Sequence, residues 1–124
     1  MLAWIFGPPV NSAVHVRDEW RTGGHLELQR ADVSWFMSAD RSDLPFQATA
    51  GQKTTFRLIT VDDQEVEFSE GFTELHTRSY EEILAGRGFR IGDARQSIEL
   101  AHRIREQAVT PGAIPARIKA PTQV

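Results

Sequence analysis

The chain has 124 residues, of which 40% are hydrophobic and 25% are charged, the size and composition of one globular domain. It contains no cysteine, which excludes disulfide scaffolds, thiolate metal sites and cysteine nucleophiles. Its 14 basic and 17 acidic residues give a net charge of −3, the wrong sign for a dedicated nucleic-acid binder. The apolar runs are too short for a membrane span or a signal peptide, so we expect a cytoplasmic domain with no nucleic-acid or membrane partner.

The first residues combine large apolar side chains with a helix stop. Residues 2–6 are mostly apolar, and Gly7-Pro8-Pro9 ends any helix at once. So short a helix does not nucleate alone, because its first turn fixes three residues for a single hydrogen bond. We therefore expect the last turns of a longer helix that begins upstream of this chain. A short apolar lead-in that docks on the core is the alternative.

Alternation with a period of two predicts five antiparallel strands before any complete helix. The first runs from residue 12 towards Trp20, and residues 22–24 (Thr-Gly-Gly) are expected to form a turn. Residues 26–29 and 33–38 are predicted to pair as a hairpin. Residues 42–53 are expected to be a loop, and residues 54–61 pair with 65–68 in a segment rich in β-branched residues.

The period changes to 3.6 residues after position 70, which predicts two helices. The first runs from Phe72 to Leu84, with Thr73 as its N-cap and Gly86 in the left-handed turn that ends it. The second opens at Asp93, whose carboxylate is expected to cap it. The buried stripe of this second helix is predicted to be Ala94, Ile98, Ala101 and Ile104.

Strands first and helices last predict an α+β domain, with an open, mostly antiparallel sheet and helices on one face. The domain covers residues 1–108, and residues 109–124 are interpreted as a proline-rich tail. Trp35 and Met37 point to one side of their strand and Phe36 to the other, so both sheet faces are partly apolar. We expect the face that the helices leave open to be used for homo-oligomerisation.

The residues alone show no recognisable catalytic set. The four histidines match no metal-ligand spacing, and no serine lies in a nucleophile elbow. Gly86-Arg87-Gly88 opens like a dinucleotide fingerprint, but the next glycine is one residue late and the motif follows a helix. We therefore predict no catalytic residue, no cofactor-binding residue and no metal ligand in this chain.

Residues 71–89 (GFTELHTRSYEEILAGRGF) and 93–100 (DARQSIEL) resemble the carboxyl-terminal domain of the Gfo/Idh/MocA oxidoreductases. Within that family they are most similar to the NAD-dependent dehydrogenases that oxidise C3 of UDP-N-acetylglucosaminuronic acid for lipopolysaccharide. Residues 26–28 and 33–40 agree, and residues 1–7 resemble the end of the helix that crosses the family's active site. The resemblance covers residues 1–108.

This resemblance implies NAD as the cofactor of the full-length enzyme and a nucleotide sugar as its substrate. The family's Rossmann domain, glycine-rich cofactor loop and Glu-Lys-Pro lysine have no counterpart in these residues. The chain is then expected to be a fragment that supplies substrate-facing sheet and oligomer interface, binds no NAD and is inactive alone. The alternative is a freestanding, non-catalytic β-sheet module that dimerises or binds a small ligand.

The start of the first helix offers free backbone N–H groups and a positive dipole end, which suit a carboxylate or a phosphate. Five residues are therefore predicted to face the nucleotide sugar in the intact enzyme. They are Ser69, Phe72 and His76, with Trp35 and Arg78 as weaker candidates. Phe72 as the first core residue of its helix and His76 as a surface histidine are the alternatives.

Overall fold

The chain folds into four helices, five strands and one 3-10 turn over the residues that the computed structural model describes, 1–70 and 73–114. The helices are α1 (Leu2–Phe6), α2 (Phe46–Ala50), α3 (Leu75–Leu84) and α4 (Ile91–Glu106). The strands are β1 (Pro9–Arg17), β2 (Arg21–Leu28), β3 (Ala31–Ser38), β4 (Leu58–Val61) and β5 (Gln64–Glu67), and the 3-10 turn is Arg41–Asp43.

The predicted α+β class with antiparallel strands is confirmed, but the strands of the described residues form two sheets. One sheet has the order β1-β2-β3 and the other is the β4-β5 hairpin. The segment between β3 and β4, predicted as a loop, contains the 3-10 turn and α2. In the described residues β4 pairs only with β5, so the expectation of a single sheet is wrong.

The predicted turn at residues 22–24 is also wrong, because Gly23 and Gly24 lie inside β2. The chain turns at residues 18–20, where the Asp18 carboxylate accepts the N–H groups of Trp20 and Arg21 at 2.8 and 2.9 Å. The glycines serve packing: a Cβ on Gly24 would collide with the backbone carbonyl of Ala13. They are strand residues where neighbouring atoms approach closely.

A β-bulge interrupts β1. Val14 lies opposite Gly24 and Val16 lies opposite Gly23, so His15 is an extra residue in the pairing. Residues that lie opposite each other share a sheet face, and successive residues alternate between faces. Val14 and Val16 therefore lie on opposite faces, whereas simple alternation predicts one face for both.

The core is small and centres on the three-stranded sheet. The buried hydrophobic residues of the described chain are Ala3, Val14, Leu26, Leu28, Ala48 and Ile114. Ile114 belongs to the segment that follows α4, and in that segment Val109 forms a parallel bridge with Val14. Part of the predicted tail therefore packs on the sheet, while residues 115–124 lie outside the described residues.

The apolar stripes of α3 and α4 are exposed. The predicted buried stripe of α4 is wrong, since no α4 residue is buried and Ile98 is 62% exposed. The end of α4 meets the edge strand β1, where the Arg17 guanidinium donates to the carbonyls of Ile104 and Gln107 at 2.5 and 2.9 Å. The long helices therefore do not bury a sheet face. No helix of the described residues is long and apolar enough to cross a membrane.

Both long helices begin elsewhere than the capping signals predict. Helix α4 starts at Ile91, with Arg90 as N-cap, and the Asp93 carboxylate accepts the Arg90 N–H at 2.7 Å from inside the first turn. Helix α3 starts at Leu75 with no side-chain cap, so Thr73 does not cap it. The left-handed turn at Gly86, with a φ of 75°, is confirmed.

The second hairpin is shorter than predicted. Asp62 and Asp63 connect β4 to β5 with φ values of 48° and 63°, as in a type I′ turn. All four residues of β5 are exposed, and an isolated two-stranded hairpin is marginally stable in water. This hairpin is therefore the part of the described sheets with the least support from packing.

Candidate functional site

Trp35 lies at the middle of β3, directly opposite Gly24. It lies on one face of the sheet, which we call the Trp35 face, together with Val33 and Met37 of β3 and with the buried Val14, Leu26 and Leu28 of the neighbouring strands. Trp35 is half-buried, and among the described residues its Nε1 is a buried donor with no hydrogen-bond partner. Since leaving such a donor unpaired costs free energy, this N–H could donate a hydrogen bond to a carbonyl, carboxylate or phosphate oxygen from outside the described residues.

Ser69 lies between β5 and α3 and is already hydrogen-bonded. Its Oγ accepts the backbone N–H of Arg57 at 2.8 Å. Its hydrogen bond to the Glu67 carboxylate, helped by the Lys53 ammonium, lowers the pKa of Glu67 below the usual value. Ser69 therefore holds the base of the second hairpin.

His76 and Arg78 lie at the start of α3, where both side chains are exposed. The Arg78 guanidinium is 3.3 Å from a carboxylate oxygen of Glu81. Phe72 lies outside the described residues. In the described part of the chain, no side-chain hydrogen bond joins one of Trp35, Ser69, His76 and Arg78 to another. Trp35 thus lies in the three-stranded sheet, whereas Ser69, His76 and Arg78 follow the second hairpin in the chain.

An ion-pair cluster that the sequence analysis did not single out joins β2 to the end of β3. Arg21 donates to both carboxylate oxygens of Asp43 at 2.5 and 3.0 Å, and to Asp40 at 2.8 Å. The Ser38 hydroxyl donates to Asp43 at 2.6 Å. The hydrogen bonds from Arg21 and Ser38 lower the pKa of Asp43. The one local sequence signal of this cluster is the Asp40-x-Ser42 spacing, in which the Asp40 side chain caps the 3-10 turn.

A cleft of about 360 Å³ opens between α2 and the second hairpin. Its lining residues are Gln47, Ala48, Lys53, Phe56, Leu58, Glu65 and Glu67. The Lys53 ammonium lies 3.3 Å from Glu67 and 3.3 Å from Glu70, and hydrogen bonds to these two carboxylates raise the pKa of Lys53. Acids outnumber the single base, so the cleft suits an anionic nucleotide poorly.

The Gly86-Arg87-Gly88 turn connects α3 to α4 and does not fit a dinucleotide. A Cβ on Gly88 would lie 2.9 Å from Ile83 Cγ1, so this glycine serves packing against α3. The Asp93 carboxylate already accepts an N–H group at the start of α4, where a pyrophosphate would have to bind. In residues 1–70 and 73–114, no group of three His, Asp or Glu side chains could hold a metal ion.

Comparison with known proteins identifies a structural neighbour. No protein-family model matches the chain. The WlbA (WbpB) dehydrogenase from Thermus thermophilus, solved in complex with NAD and UDP-GlcNAcA, is 39% identical over 93% of this chain, with a TM-score of 0.84. The same dehydrogenase in complex with NAD and alpha-ketoglutarate gives 42% identity over 95% of this chain and the same TM-score.

The chain spans 38% of the length of these dehydrogenases. The likeness supports the expected relation to an NAD-linked dehydrogenase of nucleotide sugars. Membership of the Gfo/Idh/MocA oxidoreductases and a place in their carboxyl-terminal domain stay predictions from the residues. In sequence and in fold, this chain is similar to part of a WlbA (WbpB) dehydrogenase.

Proposed function

We propose that this chain is the substrate-facing α+β part of an NAD-dependent dehydrogenase that oxidises C3 of a UDP-linked, N-acetylated uronic acid or hexosamine. The observation that carries the proposal is 39–42% identity to dehydrogenases solved with NAD, one of them with UDP-GlcNAcA. The proposed place is the carboxyl-terminal domain of a Gfo/Idh/MocA oxidoreductase, in the cytoplasm, where lipopolysaccharide sugars are made.

The proposed division of labour follows from the geometry of the chain. The described residues offer no pyrophosphate cradle, since the glycine turn joins two helices and Asp93 occupies the start of α4. NAD is therefore assigned to protein outside this chain, where it would accept the hydride from C3. The chain's own contribution is to position the sugar, and alone it is inactive.

Trp35 has the strongest structural support among the proposed substrate-facing residues, because no acceptor in the described part of the chain reaches its buried Nε1. Arg78 is available as well, since an exposed ion pair such as that with Glu81 is worth little and is readily exchanged for a phosphate. His76 is exposed at the start of α3. Ser69 has the weakest support, because its Oγ already holds the Arg57 N–H. Phe72 is retained on the resemblance alone.

The outer part of the Trp35 face along β3, around Val33 and Met37, is proposed as the homo-oligomer interface, since Val14, Leu26 and Leu28 on the same face are already buried within the chain. Met37 on this face is 60% exposed, and Val33 and Trp35 are only half-buried. Segments 109–114 and the end of α4 lie along β1, which leaves β3 as the open side of the described sheet. An apolar surface of this kind is typical of a subunit interface. The freestanding module has less support, because the similarity is to a dehydrogenase.

A chimera tests the proposed function. This chain would replace the matched 38% of the Thermus thermophilus dehydrogenase, and NADH formation from UDP-GlcNAcA and NAD would be followed. We expect activity within about 100-fold of the parent enzyme, or about 3 kcal/mol of activation free energy. A folded chimera that binds NAD but forms no NADH would contradict the proposal. Activity with UDP-GlcNAc, which lacks the carboxylate, distinguishes a hexosamine substrate from a uronic acid.

The chain alone provides the complementary measurement. Calorimetric titration with NAD and NADH at about 1 mM is expected to show no saturable heat, because that range detects even millimolar dissociation constants. A clear isotherm for either nucleotide would contradict the assignment of the cofactor to protein outside this chain.

A further inference from the structure

Residues 109–114, which we call the strap, run along the free edge of β1. Val109 forms a parallel bridge with Val14, and the Thr110 N–H donates to the Val14 carbonyl at 2.8 Å. His15 Nδ1 lies 3.1 Å from the Thr110 carbonyl oxygen. At the far end Ile114 is only 6% exposed and packs beside Gly23. The strap therefore satisfies backbone groups at the bulge and covers the face of the sheet opposite Trp35.

The composition of β1, the strand that the strap covers, favours pairing with another strand. β1 hydrogen-bonds β2 on one side only, so its other edge presents unpaired N–H and C=O groups wherever nothing covers it. From Pro9 to Val16 the strand carries no acidic or basic residue apart from His15. The exposed strand β5 instead carries Glu65 and Glu67, whose charges would oppose each other in a symmetric pair.

We propose that the strap shields β1 from pairing with β1 of a second copy of this chain. When the strap opens and Gln107 releases Ser12, two copies of β1 pair antiparallel about a two-fold axis, and Ala13, at the centre of the strand, lies beside that axis. Opening is a local event, because the residues of the strap before Ile114 are exposed and Val109 is 50% exposed. This edge interface is separate from the Trp35 face.

The test releases the strap at Thr110. Thr110→Pro deletes both the N–H and the hydroxyl that bond the Val14 carbonyl, whereas the matched control Thr110→Ala deletes only the longer hydroxyl bond of 3.4 Å and keeps the N–H bond. Since the chain has no cysteine, Ile114→Cys reports opening through the rate of thiol labelling. We expect Thr110→Pro to speed labelling at least tenfold and to strengthen self-association at least tenfold by sedimentation. Thr110→Ala should match the parent in both measurements.

Two further variants keep the outcome decisive. A chain ending at residue 106 removes the strap together with Gln107, whose side chain otherwise bonds Ser12 on the same edge. In either released variant Ala13→Cys should form a disulfide with its own copy, and Met37→Asp on the Trp35 face should leave that association intact. Fast labelling or complete removal of the strap without increased association would overturn the proposal, as would association abolished by Met37→Asp.

Discussion

Arg21 illustrates what single residues contribute to this fold. Its guanidinium binds Asp43 through two hydrogen bonds and Asp40 through one, which fixes the end of β3 against the start of β2. The partners are 22 and 19 residues away, and no local spacing in the sequence connects them. Trp35 is the opposite case, since alternation placed it correctly on a sheet face, although its unpaired Nε1 depends on neighbours that no pattern identifies.

The Asp43 carboxylate makes stability depend on pH. Its pKa in the folded chain is lowered from 3.8, because Arg21 and Ser38 donate hydrogen bonds to it. Its contribution is therefore full above the unfolded value of 3.8 and is lost as the pH falls through the lower folded value. We expect Asp43→Asn to lower the melting temperature at pH 7 by about 3 °C.

Circular dichroism melts from about pH 5 to about pH 2 measure this effect. The parent should lose more melting temperature than Asp43→Asn over that range, so that the two curves converge. Asp62→Asn, in the exposed turn between β4 and β5, should follow the parent throughout. Parallel curves for parent and Asp43→Asn would rule out this role for the cluster.

His76 offers a test of the proposed substrate-facing helix start. In the active chimera, His76→Ala should raise KM or lower kcat severalfold, since the exposed imidazole is proposed to contact the nucleotide sugar. His102→Ala, an exposed histidine on α4, is the matched control and should leave both constants unchanged. Unaltered kinetics of His76→Ala would remove His76 from the site.

The sequence predicted the presence of helices and strands better than it predicted where they begin and end. The 3.6 period identified both long helices, because it persists over several turns whether or not the apolar side is buried. It could not show that the stripe of α4 stays exposed, since burial depends on what lies against the helix. Gly23 and Gly24 misled for a similar reason: the same residue serves turns and close backbone approaches.

Asp93 provides the measurement at this scale. Because its carboxylate accepts the Arg90 N–H at 2.7 Å, Asp93→Ala should destabilise the start of α4 by about 1 kcal/mol. Glu99→Ala, which breaks the exposed pair with Arg95, should cost about 0.3 kcal/mol. Chemical denaturation compares the two, and equal costs would contradict the capping role of Asp93.

Over residues 1–70 and 73–114, more large apolar side chains are exposed than are buried in the small core. Phe89 is 72% exposed although its ring contacts Trp4 edge-on at 5.2 Å, and Leu84 and Ile91 are 88% and 82% exposed. The prediction that five strands share a sheet failed because alternation reveals faces but not which strands are neighbours. The sequence also predicted apolar surface that the chain itself does not cover. Such surface is typical of contacts with other protein.

Light scattering over about 10–100 μM tests the oligomer through the Trp35 face, because micromolar affinities are visible there. The parent should be a dimer or larger, and Met37→Asp should raise the dissociation constant of the oligomer at least tenfold. Val66→Asp, on the exposed strand β5, should behave as the parent. A monomeric parent at every concentration would contradict the interface.

The extra residue in β1 also matters for aligning this chain with its relatives. In a regular strand, residues two positions apart lie on the same side of the sheet. The extra residue His15 breaks this rule halfway along β1, so that Val14 and Val16 lie on opposite sides. A relative that lacks a residue at position 15 would keep the rest of the strand on its present side, because Val14 and Val16 would be consecutive and would still alternate. In a relative that keeps the residue but has a regular strand, the position of Arg17 would face away from the carbonyls of Ile104 and Gln107 that it binds here. An alignment without a gap to a regular strand therefore marks a change of side for the end of β1.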